Sequence, residues 1–256
     1  MKKIVAVIGS PNNERSNTVA MTRDFLESVK QHADVAYEII SLGEQVVTPC
    51  RGCWACMKTG SCVHGGDALQ EVRRKIRECD LLIVGSPLYE LNISAQLKAL
   101  FDRTFMWIHL VGLMGKPALT AITTGGDGVG RAERYLSGML SMMGCIMVGN
   151  LRGIGKQPGV FPDRERCRER YRPLARNVAA ILNGERKVKP GLFNTVCFMI
   201  MKYHTRRLIK AKKKGSTDTA YTEYEHRYWR EKGWFHMSYR QALARETAAV
   251  PRESAT

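Results

Sequence analysis

The N-terminal part of the chain alternates apolar segments of strand length with amphipathic segments of helix length, and this alternation restricts the fold more than any other feature. Residues 4–10 (IVAVIGS) form a nearly continuous apolar run, which is typical of a strand buried on both faces of a parallel sheet. Residues 16–31 follow with apolar side chains at helical spacing on one face. A buried strand followed by an amphipathic helix predicts the α/β class.

The same alternation continues to residue 183. Further strands are predicted at 35–42, 81–87, 117–126 and 145–151, and further helices at 66–79, about 93–107, about 128–143 and about 163–183. Five strands and five helices predict a doubly wound parallel sheet. Ligands of such sheets bind beyond the carboxyl ends of the strands. The loops at 9–18, 85–94 and 123–130 are therefore the ones expected to carry function.

The remaining residues, 184–256, do not continue the pattern, and we expect a basic, mainly helical C-terminal extension after a domain at 1–183. The extension contains an apolar stretch (192–201), a basic run (206–214) and an aromatic stretch (221–235). The chain carries a formal net charge of +16, of which residues 186–240 contribute +10. A charge of this size is compatible with binding to nucleic acid or to an anionic membrane surface. Subunit contacts are nevertheless the favoured role of the extension, and no nucleic acid is expected.

Two features of the sequence indicate the cellular compartment of the protein. The N-terminal apolar run is too short for a signal peptide and ends in a polar loop, and no apolar stretch approaches the ~18 residues of a membrane span. Eight cysteines in 256 residues are also too few for a disulfide scaffold. We therefore expect a cytoplasmic protein.

All three loops are rich in Gly, Ser, Thr and Asn, and two of them also have the pattern of a ligand-binding loop. The first, Ser10 to Thr18, places hydroxyl and amide side chains before a helix start, where backbone N–H groups favour a phosphate. It matches neither a Walker loop nor a GxGxxG fingerprint. The second, Ser86 to Ser94, offers an apolar edge beside backbone amides, as a flat heterocycle requires. Each pattern also fits an ordinary polar loop with a helix cap.

Four cysteines crowd into thirteen positions at Cys50, Cys53, Cys56 and Cys62. Such short intervals are those of ferredoxin-type cluster ligands. A zinc site usually draws its ligand pairs from two separated segments, and no later CxxC follows here. The spacing leaves three states open, which are a cluster, a zinc ion and four reduced thiols that bind nothing.

Four segments together resemble the flavodoxin-like NAD(P)H-dependent FMN reductase superfamily, and within it the iron–sulfur flavoproteins. They are the GSP…SNT loop at 9–18, PCRGCWACMKTGSC at 49–62, VGSPLYELNISAQLKALFDR at 84–103 and TTGG at 123–126. The resemblance covers residues 1–183. It implies a flavodoxin-like five-stranded parallel sheet of order 2-1-3-4-5, bound FMN, and a homodimer or homotetramer with the flavin near a subunit interface.

The resemblance also assigns residues. The implied cofactor-binding residues are Ser10, Asn12, Ser16, Asn17, Thr18, Pro87, Leu88, Tyr89, Asn92, Thr124, Gly125 and Gly126. Ser10, Ser16, Asn17 and Thr18 would hold the FMN phosphate, residues 87–89 with Asn92 would line the isoalloxazine ring, and residues 124–126 would close over its other edge. The four cysteines of 50–62 match the ligands of a [4Fe–4S] cluster. The sequence departs from relatives at Glu90 and Leu91, where a smaller residue such as glycine is frequent.

The implied function is an FMN-dependent oxidoreductase that takes electrons from NAD(P)H or a ferredoxin-type partner. It would pass them to a small acceptor or an electron-transfer protein, through the cluster if one is present. No side chain is singled out as a catalytic acid or base, because the flavin carries the chemistry. The alternative is a non-enzymatic flavin and iron–sulfur electron carrier or redox sensor, with the basic extension serving membrane-surface or subunit contacts.

Overall fold

The computed structural model describes residues 1–213 and 223–249, and the side chains of 209–213 and 249 are not included. Lys214, at the end of the basic run, and residues 250–256 lie outside the described residues. The strands are β1 (Lys2–Ile8), β2 (Val35–Ser41), β3 (Leu81–Tyr89), β4 (Asn92–Ile93), β5 (Pro117–Thr124) and β6 (Ile146–Ile154). The helices are α1 (Asn17–Lys30), α2 (Ala55–Thr59), α3 (Leu69–Glu78), α4 (Ala95–Arg103), α5 (Met106–His109), α6 (Val129–Met142), α7 (Arg164–Leu182), α8 (Leu192–Lys213), α9 (Glu223–Glu231) and α10 (Tyr239–Ala249).

The main sheet has the strand order β2-β1-β3-β5-β6, with every neighbouring pair parallel. This is the predicted order 2-1-3-4-5 once the short β4 is set aside, so the predicted flavodoxin-like fold is confirmed. β4 is a strand that the sequence analysis did not predict. It pairs antiparallel with the end of β3 and forms a hairpin at the carboxyl edge of the sheet.

The helix predicted over about 93–107 is two helices, α4 and α5. Thr104 ends α4, because its hydroxyl donates a 2.9 Å hydrogen bond to the carbonyl of Leu100 and its N–H is shared between the carbonyls of Leu100 and Phe101. Threonine back-bonding of this kind bends or ends helices. After the break, α5 contacts both the sheet core, through Trp107, and the C-terminal extension, through Met106 and His109.

Two apolar cores enclose the sheet, one on each face. Alternate residues of β1 divide between them, with Val5 and Val7 on the side of α3, α4 and α6 and Ile4, Ala6 and Ile8 on the side of α1 and α7. All five are fully buried. A strand buried on both faces has the near-continuous apolar run read at 4–10.

The extension has a third core, built from aromatic side chains. Phe198 of α8 packs against Trp229, Trp234 and Tyr239, and all four are at most 1% exposed. Val111, which follows α5, belongs to the same core and joins the extension to the sheet domain. Within residues 1–213 and 223–249, no helix combines the length and the apolar character needed to cross a membrane.

Candidate functional site

Loops from the carboxyl ends of β1, β3, β5 and β6 surround a cleft at the edge of the sheet. Nine of the twelve residues expected to bind FMN line it, and these are Ser10, Asn12, Ser16, Asn17, Pro87, Leu88, Tyr89, Thr124 and Gly125. Thr18, Asn92 and Gly126 do not line it. The cleft lies where the doubly wound topology places ligands.

In the first loop, two buried serines have their hydroxyl protons free to donate. Ser16 is the N-cap of α1, and its Oγ accepts a 3.3 Å hydrogen bond from the N–H of Val19. Ser10 Oγ accepts from the N–H of Asn12 at 3.2 Å. Since each oxygen acts as an acceptor in these bonds, each O–H remains available for a ligand. The unpaired N–H groups of the first turn of α1 add donors and a positive dipole end.

Asn17 and Thr18 have other partners in this structure. The hydroxyl of Thr18 is fully buried and lies 2.6 Å from that of Thr123 on β5. The side-chain N–H groups of Asn17 donate to the carbonyls of Gln157 and Val160 at 3.2 and 3.0 Å. Asn17 therefore holds the loop after β6 against the first loop, and Thr18 ties the start of α1 to the sheet.

The second loop is a two-residue hairpin between β3 and β4. Tyr89 and Asn92 are paired directly, and Glu90 and Leu91 between them have φ values of 47° and 62°. Positive φ at both positions is the signature of a type I′ turn, for which Asn-Gly is the preferred sequence. The side chain of Leu91 reaches Gly128 at the start of α6. The turn thus presents Tyr89 to the cleft, where its hydroxyl accepts a 3.3 Å hydrogen bond from Asn12.

The side-chain hydroxyl of Thr124 stabilises the loop after β5. Thr124 Oγ1 accepts from the N–H of Gly126 at 3.1 Å and donates to the carbonyl of Gly126 or Asp127. Gly126 has open space around it, whereas a Cβ on Gly125 would lie 3.3 Å from the carbonyl oxygen of Gly155. The approach of the Gly155 carbonyl therefore leaves little room for a side chain at Gly125.

Four further cleft residues were missed by the sequence analysis, and these are Thr123, Gly155, Lys156 and Pro158. Three of them follow β6, which continues to Ile154 rather than ending at residue 151. The Gly- and Pro-rich sequence GIGKQPG at 153–159 is the signal that was available. Lys156 is the one charged residue among those that line the cleft in the described part of the chain.

The cysteine segment forms a loop with one short helix, α2. Gly52 and Trp54 have φ values of 63° and 60°, and this left-handed backbone turns the chain twice between Cys50 and Cys56. Cys50 and Cys53 are exposed, while Cys56 and Cys62 are partly buried. Burial raises the pKa of the Cys56 thiol, and the other three cysteines raise it further. The four thiols therefore lie within electrostatic range of one another.

The spacing of these thiols distinguishes two kinds of metal site. Two thiolates on one zinc ion lie at most about 4.6 Å apart, since each Zn–S bond is about 2.3 Å. In the described chain, no three of the four sulfurs lie within 4.8 Å of one another. A cubane cluster holds its thiolates farther apart, because each binds a different iron. Within the described residues, the four thiols therefore do not form a preassembled three-ligand site for one ion, and the binding of a cluster stays a prediction.

A buried arginine, Arg103 of α4, forms hydrogen bonds with the cysteine loop and the residues that flank it. Its Nε lies 3.4 Å from Cys62 Sγ, and its other nitrogens donate to Thr48 Oγ1 at 2.8 Å, to the carbonyl of His64 and to Asp67. Burial opposes the charge of Asp67, but hydrogen bonds from Thr48, Leu69 and Arg103 outweigh it and lower the pKa of Asp67 to about 2. Burial alone would lower the pKa of Arg103, and the bonds to Cys62 and Asp67 raise it.

A second buried cation, Arg73 of α3, lies close to the same thiols. It is 4% exposed, donates to Ser61 and stacks over the ring of Trp107 at 5.5 Å. Burial and Arg77 lower its pKa, while Cys62 and Cys56 raise it. Among the described residues, Arg73 Nε and His64 Nε2 are buried without a hydrogen-bond partner. Unsatisfied donors and two cations beside four thiols fit an anionic group bound there.

Comparison with known proteins agrees with this geometry. Residues 2–158 match the family model for NADPH-dependent FMN reductase. An iron–sulfur flavoprotein of Archaeoglobus fulgidus is 27% identical over 91% of this chain and 99% of its own length, and one of Methanocaldococcus jannaschii is 31% identical over 70% and 97%. The apo form of an NADH:FMN oxidoreductase superposes with a TM-score of 0.52 at 23% identity, over 71% of this chain and 90% of that one. The structural match shows a shared fold.

Proposed function

Because the chain belongs to the NADPH-dependent FMN reductase family, we propose that it binds FMN in the cleft and oxidises NAD(P)H there. The observation that carries the proposal is the convergence of four loops on one donor-rich cleft at the carboxyl edge of the sheet. When bound, FMN supplies hydride acceptance from NAD(P)H, and a cluster supplies one-electron steps to a further acceptor.

The phosphate of FMN is proposed to bind between the first loop and Lys156. Ser10 and Ser16 donate their free hydroxyl protons, and the first-turn N–H groups of α1 complete the donor set. Lys156 adds the positive charge. Asn17 acts by holding the Lys156 loop in place, and Thr18 by anchoring the start of α1.

The flavin ring is proposed to lie along Pro87, Leu88 and Tyr89, with Thr124 and Gly125 at its other edge. Apolar contact from Leu88 and a half-exposed aromatic at Tyr89 suit a flat heterocycle whose one side stays open to a second substrate. Asn92 and Gly126 support these loops from outside the cleft, Asn92 through its pairing with Tyr89.

The cysteine loop is proposed to bind a [4Fe–4S] cluster through Cys50, Cys53, Cys56 and Cys62. Arg73 and Arg103 offset the negative charge of four thiolates, and the Arg103 N–H on Cys62 Sγ is the kind of hydrogen bond that tunes cluster potentials. Both curated relatives described above are named iron–sulfur flavoproteins. Exposure of Cys50 and Cys53 leaves one side of the loop accessible to a protein partner such as a ferredoxin.

The composition of the purified chain tests both cofactors. Anaerobic purification, followed by assay of flavin, iron and acid-labile sulfide on one sample, is expected to give one FMN and about four irons with matching sulfide per chain. Cys53→Ala is expected to lose the iron and keep the FMN. Cys197→Ala, a cysteine of α8 outside the loop, is the matched control and is expected to keep both. FMN without iron in the unsubstituted chain would refute the cluster and leave a flavin or quinone reductase.

Turnover distinguishes an enzyme from an electron carrier. An oxidoreductase is expected to oxidise NAD(P)H rapidly with a quinone, a nitro or azo compound, or free flavin as acceptor. A carrier or sensor would oxidise NAD(P)H slowly and exchange electrons rapidly with reduced ferredoxin. Stopped-flow measurement of both half-reactions on one preparation separates the two functions.

The outer face of α8 is proposed to pack against a second copy of this chain. The inner face is already used by Asn194, Phe198 and Thr205, which are buried. The outer face is nevertheless apolar and at least 42% exposed at Leu192, Phe193, Val196, Met199, Ile200 and Tyr203. A helix that is apolar on both faces is typically buried on both. Residues 192–201 carry no charge, which favours a subunit interface over an anionic membrane surface.

A further inference from the structure

Three potential metal ligands from three helices meet where the extension joins the sheet domain. His109 is the last residue of α5, His204 lies on α8 and Glu225 on α9. One ligand atom from each lies within 4.8 Å of the other two. Across residues 1–213 and 223–249, this is the one group of His, Cys, Asp and Glu side chains that meets this distance. It is separate from the cleft and from the cysteine loop.

The carboxylate of Glu225 has an unusual environment. Glu225 is fully buried, its Oε2 lies 3.0 Å from Nδ1 of His109, and its Oε1 accepts a hydrogen bond from Thr205. Among the described residues, His109 is its one ion-pair partner. A buried carboxylate without a permanent cation is costly. A bound cation would remove this cost.

The position of His204 distinguishes a metal site from a simple histidine–glutamate pair. A pair needs only His109 and Glu225, yet the exposed ring of His204 also joins the group, 6.0 Å from that of His109 between centroids and inclined at 68°. His109 and Glu225 are held in place by neighbouring bonds. Trp229 Nε1 donates to the carbonyl of His109 at 2.8 Å. The single hydroxyl proton of Thr205 is directed either to Glu225 or to the carbonyl of Met201 at 2.9 Å.

We propose that His109, His204 and Glu225 bind one divalent first-row transition ion of the zinc class. Two imidazoles and one carboxylate form a borderline N,N,O ligand set that suits Zn²⁺. Two ligands of one zinc ion lie at most about 4.2 Å apart, and the 3.0 Å between His109 Nδ1 and Glu225 Oε2 already meets this limit. Because His204 is exposed, water has access to the fourth coordination position.

The ion joins the C-terminal extension to the cysteine loop. Tyr224 precedes Glu225 and packs directly on Gly60, where a Cβ would collide with its ring. Tyr224 also contacts the apolar group of Met57, Met106 and Leu110 under the loop. By fixing α9 on α5 and α8, the ion holds Tyr224 against the loop. This role does not depend on whether the cleft holds FMN.

Cobalt titration of the full chain tests the site without relying on activity. Co²⁺ bound by the cysteine loop gives intense thiolate-to-cobalt charge-transfer absorption, whereas Co²⁺ bound by histidine and glutamate gives only weak ligand-field bands. The chelator-treated chain is expected to bind one Co²⁺ per chain with the second signature. His204→Gln is expected to lose that ion, and His236→Gln, an exposed histidine elsewhere in the extension, is expected to keep it. Thr205→Val is expected to weaken binding by about 10- to 100-fold, as loss of an outer-shell partner does.

Thermal unfolding with ZnCl₂ gives a second, independent measurement. Zinc is expected to raise the Tm of the chain and of His236→Gln but not that of His204→Gln. Glu225→Gln removes the buried charge, so its metal-free Tm is expected to equal or exceed that of the original chain while the zinc response is lost. Equal cobalt affinity in His204→Gln and the original chain would overturn the site. An equal zinc response in all variants would also overturn it.

Discussion

The type I′ turn at Glu90 and Leu91 makes a sharp test of the geometry that positions Tyr89. Both residues have φ in the left-handed region, where a side chain with a Cβ is strained and glycine is not. At an ordinary position alanine is more stabilising than glycine. At Leu91 the order is expected to be reversed, so Leu91→Gly is expected to be more stable than Leu91→Ala.

The size of the difference follows from two opposing effects. A left-handed conformation costs a non-glycine L-residue roughly 1–2 kcal/mol, which Leu91→Gly removes and Leu91→Ala keeps. Glycine loses about 0.5–1 kcal/mol more backbone entropy on folding than alanine. Both variants lose the contact of Leu91 with Gly128, so that loss cancels in the comparison. The midpoints of these ranges, about 1.5 and about 0.75 kcal/mol, give a free energy of unfolding about 0.8 kcal/mol higher for Leu91→Gly.

Thermal and urea denaturation of the purified variants measures this difference. For a chain of this size it corresponds to a Tm about 2 °C higher for Leu91→Gly. Ala244→Gly is the matched control, because Ala244 is an exposed residue in the interior of α10. There the ordinary order applies, and glycine is expected to lower the free energy of unfolding by about 0.5–1 kcal/mol.

A Leu91→Ala variant as stable as Leu91→Gly would refute the turn assignment. It would mean that residues 90–91 do not have left-handed backbone in solution, and that Tyr89 is presented to the cleft in another way. If the turn is as described, Leu91→Gly also removes a bulky side chain beside the cleft. FMN affinity measured on the same variants then reports whether that side chain restricts the site.

Three further predictions concern the phosphate site, the cysteine loop and the subunit interface. Lys156→Met is expected to weaken FMN binding about 5-fold, because it removes one exposed charge worth about 1 kcal/mol. An unchanged Kd, measured by flavin fluorescence, would exclude Lys156 from the phosphate site. The pKa of Asp67 is lowered to about 2, so its pairing with Arg103 stabilises the fold above about pH 4 and is lost as the pH falls towards 2. Asp67→Asn is expected to lower the free energy of unfolding by about 2 kcal/mol at pH 7 and to remove most of its decrease between pH 4 and pH 2, measured by urea titration. The same decrease in the variant and in the original chain would contradict the pairing. If α8 forms the proposed subunit interface, light scattering is expected to find a dimer or larger oligomer for the original chain and a monomer that keeps FMN for Ile200→Glu. A monomeric original chain would refute the interface.

The sheet was predictable from sequence because its strands are buried on both faces. A run such as IVAVI pairs its backbone within a sheet and buries its side chains under helices, so the type and position of the strand followed from the residues. The order of the strands came from the family resemblance. The family match confirms the superfamily and the NAD(P)H-dependent oxidoreductase class inferred from the motifs. The cofactor-binding residues themselves remain predictions.

The β4 hairpin and the break at Thr104 were not predictable by the same reasoning. Glu90 and Leu91 are poor turn residues by composition, and the turn forms because β3 and β4 pair on either side of it. Asn17 looked like a phosphate donor because its polar side chain stands at a helix start. The carbonyls it bonds lie about 140 residues away, and no local pattern reveals a partner at that distance.

The His109, His204 and Glu225 group illustrates the same limit for sites. Its members are separated by 95 and 21 positions in sequence and share no motif. The cysteines of 50–62, by contrast, could be read at once because all four ligands belong to one loop. A site built by tertiary packing alone becomes visible only in the folded chain.

The contact of Tyr224 with Gly60 has a consequence for biosynthesis. About 160 residues separate the two, and a ribosome needs roughly 10–30 s to add them at 5–20 residues per second. The cysteine loop stays uncovered throughout that interval, because the helix that packs on it has not yet been made. The sheet domain becomes complete only in the last part of the interval, after α7 ends at Leu182. If the loop binds the proposed cluster, a factor that delivers iron or sulfide has its best access before translation ends, because packing of Tyr224 on Gly60 then covers that side of the loop.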